Sequence, residues 1–443
     1  MRLLIKNGTI VNADKSIEAD VLCENGKIIE IEKNLKPKIV ADKVIDATNN
    51  YVIPGGIDPH VHMHLPSPAG FSSDDFLTGS KAALAGGTTT FIDFVTPKKG
   101  QLLDEAIKER KLEASDCLIN YSFHVSPIEW RDTIANEIKN CISNYGYISF
   151  KVYMAYKSNI GLDDDVLLKV MKTVAEAGGL LVVHCELGDE IEEIRNDFAR
   201  KGKLSHKYHP LSRPSLLEAE AVKKAIDMAE ETSCPLYIVH VSSSKSLKYI
   251  SEAKKRGQTV YAETCPQYLL LDNTKYKENF NNSAAYIMSP PLREEEDNEA
   301  LWKAISNGTI NTLGTDHCPF TLEQKSAGKN DFRNIPNGAG GVEHRLTLLY
   351  TYGVLTKKIT LNQFVALTST NAAKIFQMYP SKGLIEIGSD ADITIWDQKK
   401  VSKISSKTHK QNCDLNIYEN IKIQGEPRFT IKNGEIINQS LYL

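Results

Sequence analysis

The run Gly55-Gly56-Ile57-Asp58-Pro59-His60-Val61-His62 decides how this chain is read. It follows Tyr51-Val52-Ile53, a short apolar segment that reads as a strand. Side chains two apart on an extended strand point the same way. His60 and His62 therefore project together from one strand end, and neutral imidazoles are good ligands for zinc-like metals. Two histidines do not make a site, so the rest of the chain has to supply other ligands at matching places.

Outward from that run, strands and helices alternate, the pattern of a parallel sheet. The predicted strands are Tyr51–Asp58, Thr88–Val95, Ile119–His124, Tyr147–Tyr153, Leu180–His184, Pro235–His240, Thr259–Glu263 and Thr312–Asp316. Helical stretches such as Leu102–Ala114 and Ser215–Glu231 lie between them, the latter opened by a Pro-Ser cap signal. Eight such units predict an α/β fold, a (β/α)8 TIM-like barrel over residues 53–383. The two chain ends resemble each other. Ile5-Lys6-Asn7-Gly8-Thr9-Ile10-Val11-Asn12 matches Ile431-Lys432-Asn433-Gly434-Glu435-Ile436-Ile437-Asn438, and both read as strand, Asn-Gly turn, strand. Residues 1–52 and 384–443 are expected to form one small β-sandwich domain.

A chain of 443 residues exceeds what one compact core usually serves, which suits that two-part reading. The formal net charge of -3 gives no reason to expect nucleic acid or an anionic membrane as partner. No apolar run is long enough to span a bilayer, and the N-terminus lacks the features of a signal peptide. A cytoplasmic location is the expectation. The eight cysteines are scattered without a Cys-x-x-Cys pair and read as reduced thiols, mostly buried.

Active sites of such barrels lie at the C-terminal ends of the strands. His60 and His62 end strand one, His184 strand five, His240 strand six and Asp316 strand eight, and Lys151 lies on strand four. Taken singly, a histidine at a strand end is more often a satisfied polar residue, and an aspartate before a loop more often a cap. Their joint placement on the right ends of the right strands is what points to a metal site. Burial lowers the pKa of a lysine aimed into a barrel. Its neutral amine can add carbon dioxide and become an anionic carbamate able to bridge two cations. A lysine snorkelling to solvent is the alternative.

With these residues stands a longer series: Pro54-Gly55-Gly56-Ile57-Asp58-Pro59-His60-Val61-His62, Ala85-Gly86-Gly87-Thr88-Thr89-Thr90, Ser149-Phe150-Lys151-Val152-Tyr153-Met154-Ala155-Tyr156, Tyr237-Ile238-Val239-His240-Val241-Ser242-Ser243, Glu263-Thr264-Cys265-Pro266-Gln267-Tyr268, Met288-Ser289-Pro290-Pro291-Leu292-Arg293, Thr315-Asp316-His317-Cys318-Pro319-Phe320 and Ile335-Pro336-Asn337-Gly338. In this order the chain resembles the dihydropyrimidinase and D-hydantoinase family, cyclic amidases of the amidohydrolase superfamily, over nearly its whole length. The resemblance implies two divalent metal ions, usually zinc. His60, His62 and Asp316 would hold one, His184 and His240 the other, with carboxylated Lys151 and a hydroxide bridging them. Asp316 would act as general base and then acid, and Tyr156 would donate to the oxyanion. Ser289 and Asn337 match positions that hydrogen-bond the ring amides of the substrate, largely through backbone groups; plain loop structure is the alternative for both.

The implied reaction is ring opening of a small cyclic amide, a 5-substituted hydantoin or a 5,6-dihydropyrimidine. The related dihydroorotases carry an arginine two residues past the second histidine, where this chain has His64, a pocket, loop or accessory-ligand residue. Allantoinase shares the metal ligands and stays open. Some dihydropyrimidinase-like proteins are non-catalytic scaffolds that have lost ligands, whereas all six positions here are filled. The segment Met63–Phe71 resembles the family's substrate-gating loop. Cys185 and His317 should face away from the metals by strand alternation, and His124 is assigned no role. The resemblance implies a homo-oligomer, tetramer or dimer, although the chain stops soon after its last hairpin.

Overall fold

The computed structural model describes residues 1–36 and 40–437, so Asn438 of the second end hairpin lies outside the described residues. One eight-stranded parallel sheet runs in chain order: β1 Gly56–Asp58, β2 Thr88–Val95, β3 Asn120–Val125, β4 Ser149–Tyr153, β5 Leu180–His184, β6 Leu236–Ile238, β7 Val260–Thr264 and β8 Thr312–Leu313. β2, β4 and β5 are buried along their whole length. β5 reads as a continuous apolar run, as a strand covered on both faces does, whereas β2 carries Thr88, Thr89, Thr90 and Asp93 and β4 carries Ser149 and Lys151 among their apolar residues.

The run Tyr51–Asp58, expected as one strand, is two. Tyr51–Pro54 pairs with Ile393–Trp396 and with Thr9–Ile10 in the sheet built from the chain ends. Gly55 separates it from β1, and a Cβ there would sit 2.1 Å from Thr89 Oγ1. The ends form a four-stranded and a six-stranded sheet. Leu3, Ile5, Val21 and Ile45 of one share a core with Val52, Ile393 and Ile431 of the other, making a β-sandwich.

The barrel closes between β1 and β8 through the residues that follow them. Asp316 N donates to His60 O at 2.9 Å and His62 N to His317 O at 2.8 Å. Arg345, fully buried, spans the same seam, with Nη1 donating to Ile57 O and Leu313 O at 2.9 and 2.8 Å. At the other end, Ala372, Ala373 and Phe376 pack against Ile57, Ile92, Leu180 and Tyr237 and plug the barrel floor. Chemistry is thereby confined to the rim at the strands' C-terminal ends. Among the described residues no helix is long and apolar enough to cross a membrane.

Candidate metal centre and active site

His60 Nε2 and His62 Nε2 lie 3.2 Å apart, and each lies 3.1 Å from Asp316 Oδ1. His60 Nδ1 is 2.7 Å from Glu263 Oε1. That carboxylate holds the ring proton on Nδ1 and leaves Nε2 with a bare lone pair. Lone pairs and a carboxylate oxygen at this range repel unless a proton or a cation lies between them. Burial would lower the His60 pKa, but Glu263 and Asp316 together raise it to about 9. The cluster thus favours positive charge.

A second pair faces it. His184 Nδ1 and His240 Nε2 are 2.9 Å apart, and burial lowers the pKa of both rings, keeping them in the neutral form that ligates metals. His184 Nε2 donates to Glu186 Oε2 at 2.8 Å, and Arg213 Nη1 donates to the same oxygen at 2.5 Å. Here too a carboxylate fixes the tautomer and turns the free nitrogen toward its neighbour. Lys151 is 1 % exposed, so it does not snorkel. Its Nζ lies 5.1 Å from the Phe94 ring and 5.0 Å from the Tyr153 ring. Burial pushes its pKa down to about 8, against the pull of Asp316 and Glu263. Neutral amine is therefore accessible near neutral pH.

Sequence spacing placed His240 and Asp316 inside strands six and eight. Instead β6 stops at Ile238 and β8 at Leu313. His240 and Asp316 adopt left-handed backbone, φ 39° and 53°, as does Tyr156 at 59°. Such residues cost on the order of 1–3 kcal/mol each and gather at functional sites. At this rim the turn, not the pleat, aims the side chain.

The Tyr156 ring lies 5.2 Å from the His184 ring, with the Arg213 guanidinium 5.5 Å from its centre. Burial raises its phenol pKa, with Arg213 opposing. Glu186 raises it further, and the nearby Ser289 side chain lowers it. Ser289 Oγ and Asn337 Oδ1 are buried, and neither makes a hydrogen bond among the described residues. A buried polar atom without a protein partner calls for some further group, a water or an ion included. His64 sits in the loop, stacked on Phe71 at 3.9 Å. His317 points away from the ligands, with Nε2 3.0 Å from Asp74 Oδ2. Cys185 packs into the apolar core. His124 is held between Ser149 Oγ and Pro59 O, at 2.7 and 2.9 Å.

Glu263, Glu186, Arg213 and Phe94 had no role in the sequence reading. Glu263 ends a predicted strand and Glu186 lies two residues past His184, so each stands where a carboxylate partner of a histidine should be sought. Phe94 left no such signal; its ring stacks on His62 at 4.4 Å. One further cluster, Glu343, His344 and His409, brings ligand-type atoms within 4.8 Å. There the Asn416 amide already donates to both rings, at 2.9 and 3.1 Å.

Residues 51–437 match the family model described as the Amidohydrolase family. A D-hydantoinase of Geobacillus stearothermophilus is 42% identical over 439 residues, covering 99% of this chain and 93% of the relative. A dihydropyrimidinase of Rattus norvegicus is 41% identical over 445 residues, covering 99% and 86%. The crystal structure of the dihydropyrimidinase from Brevibacillus agri NCHU1002 superposes with a TM-score of 0.97 at 40% identity, covering 99% of this chain and 95% of that one.

Proposed function

Because this chain belongs to the amidohydrolase family, and within it to the dihydropyrimidinase and D-hydantoinase group, we propose that it hydrolyses a 5-substituted hydantoin or a 5,6-dihydropyrimidine. It is a hydrolase acting on C–N bonds of cyclic amides. The observation that supports this mechanism best is the convergence of His60 Nε2, His62 Nε2 and Asp316 Oδ1, which lie within 3.2 Å of one another. The donor set fits two divalent cations, which we take as zinc. His60, His62 and Asp316 would hold one, His184 and His240 the other, and Lys151, as its carbamate, would complete the donor set. When bound, such a pair supplies hydroxide at neutral pH and polarises the scissile carbonyl.

The protein's own groups do the rest. Asp316 accepts the proton from the attacking hydroxide and passes it to the leaving ring nitrogen. Tyr156, kept protonated by burial, donates to the developing oxyanion. Ser289 and Asn337 bind the ring amides, largely through their backbone groups. Glu263 and Glu186 keep His60 and His184 in the ligating tautomer. The test is a hydrolysis panel on zinc-loaded protein: hydantoin, 5-substituted hydantoins, dihydrouracil, allantoin and dihydroorotate. Turnover of the first three classes is expected. Turnover of allantoin alone, or no bound metal and no turnover at all, overturns the proposal.

A further inference from the structure

Between Asp316 and Asn337 the chain makes a short helix, Leu322–Ser326, opened by a Thr321–Gln324 capping box. Lys325 on it is 1 % exposed. Its Nζ donates to Ile287 O at 2.8 Å, Pro336 O at 2.7 Å and Gly338 O at 2.8 Å. An ammonium has three donors, and all three are used on backbone carbonyls. Burying a lysine with no carboxylate beside it is unfavourable, so the fold gains something specific at this point.

What those carbonyls share is their place in the sequence. Ile287 lies two residues before Ser289, and Pro336 and Gly338 flank Asn337. The two loops also meet directly, with Gly338 N donating to Ile287 O at 3.0 Å. Gly338 has φ 147°, and a Cβ there would sit 2.3 Å from Cys318 O, two residues past Asp316. The neighbouring Gln324 reaches the other side of the rim, its Nε2 donating to Phe71 O at 2.6 Å on the Met63–Phe71 loop. One five-residue helix therefore touches three loops around the substrate space.

We propose that Lys325 is a positioning residue for substrate recognition, its ammonium locking the Ser289 and Asn337 loops into one unit. The proposal rests on the reading of Ser289 and Asn337 as ring-binding groups. Without the ammonium, up to three buried carbonyls lose a donor and the loops separate, while the metal ligands that follow β1 or lie on β4 and β5 keep their places. Binding of the ring weakens more than the chemical step does.

The test is Lys325→Met in the zinc-loaded full chain, with metal content, kcat and KM for dihydrouracil and hydantoin, and hydrogen exchange by peptide. We expect unchanged metal content, KM raised about tenfold or more, kcat within about threefold, and faster exchange confined to peptides covering 287–291 and 335–339. A fall in kcat with KM unchanged, or unchanged exchange in those peptides, overturns the proposal. Should Lys325→Met not accumulate as folded protein, Lys325→Gln, with fewer donors on a shorter arm, carries the same readouts. If the wild-type chain turns over none of the ring substrates, the functional reading fails, and the exchange experiment alone still decides whether Lys325 joins the loops.

Discussion

Lys151 has the most to do with the least help. It is buried against two aromatic rings, and burial holds its pKa at about 8. As a carbamate it would carry the anion that the two histidine pairs lack. Lys151→Ala should lose bound metal and about a thousandfold or more of activity, and a short carboxylic acid should restore part of both. Full activity and metal in this variant would remove the bridging role. Glu263→Gln tests the neighbouring claim. It leaves His60 without an anionic partner on Nδ1, so metal affinity in chelator competition should fall about 10–100-fold. A third residue stands outside the proposed metal-ligand set. Burial pushes the Glu343 carboxyl from 4.5 up to about 8. Below pH 4.5 it is protonated in folded and unfolded chains alike. As pH rises toward 8 the unfolded chain releases the proton first, so stability falls by up to about 1.4 kcal/mol per pH unit. Glu343→Gln removes that slope, and its melting temperature relative to wild type should rise between pH 5 and pH 8.

At the scale of elements, the seam between β1 and β8 matters most, because the ligand-bearing turns complete it. Arg345 ties Ile57 O to Leu313 O and faces Asp58 at 3.8 Å. Arg345→Met leaves a buried carboxylate without its cation, which costs on the order of 3–5 kcal/mol. Denaturant unfolding should show that loss, and metal binding should weaken with it, since His60 and Asp316 hydrogen-bond across the same seam. Strand β5 was legible because two-sided burial writes itself as an apolar run, and β2 and β4 through their β-branched and aromatic residues. β6 and β8 were misjudged at their ends for the opposite reason. His240 and Asp316 leave the pleat by a left-handed turn, and a turn forced by neighbouring loops has no local sequence mark at a histidine or an aspartate.

For the whole molecule, the proposed metal centre would link ion binding to the fold. Ions that bind only the native arrangement stabilise it by mass action, about 4 kcal/mol at a thousandfold excess over Kd. Chelation should abolish turnover and lower the melting temperature, and zinc should restore both. An unchanged melting temperature would place the ions outside the fold's energetics. The sequence by itself determined the barrel, the sandwich from the chain ends and the six ligand-type positions. Alternation along buried strands and paired Asn-Gly hairpins are local signals, readable without coordinates. Only the tertiary structure decided how those residues meet. It put Glu263 on His60 and Glu186 on His184, and it left Ser289 and Asn337 with unpaired oxygens. It also hung the two loops on Lys325. These pairings join residues from 2 to 203 positions apart. Contacts made across a barrel, such as Glu263 on His60, depend on how the strands close, so the local pattern of a strand end shows where a partner could stand but not which residue it meets.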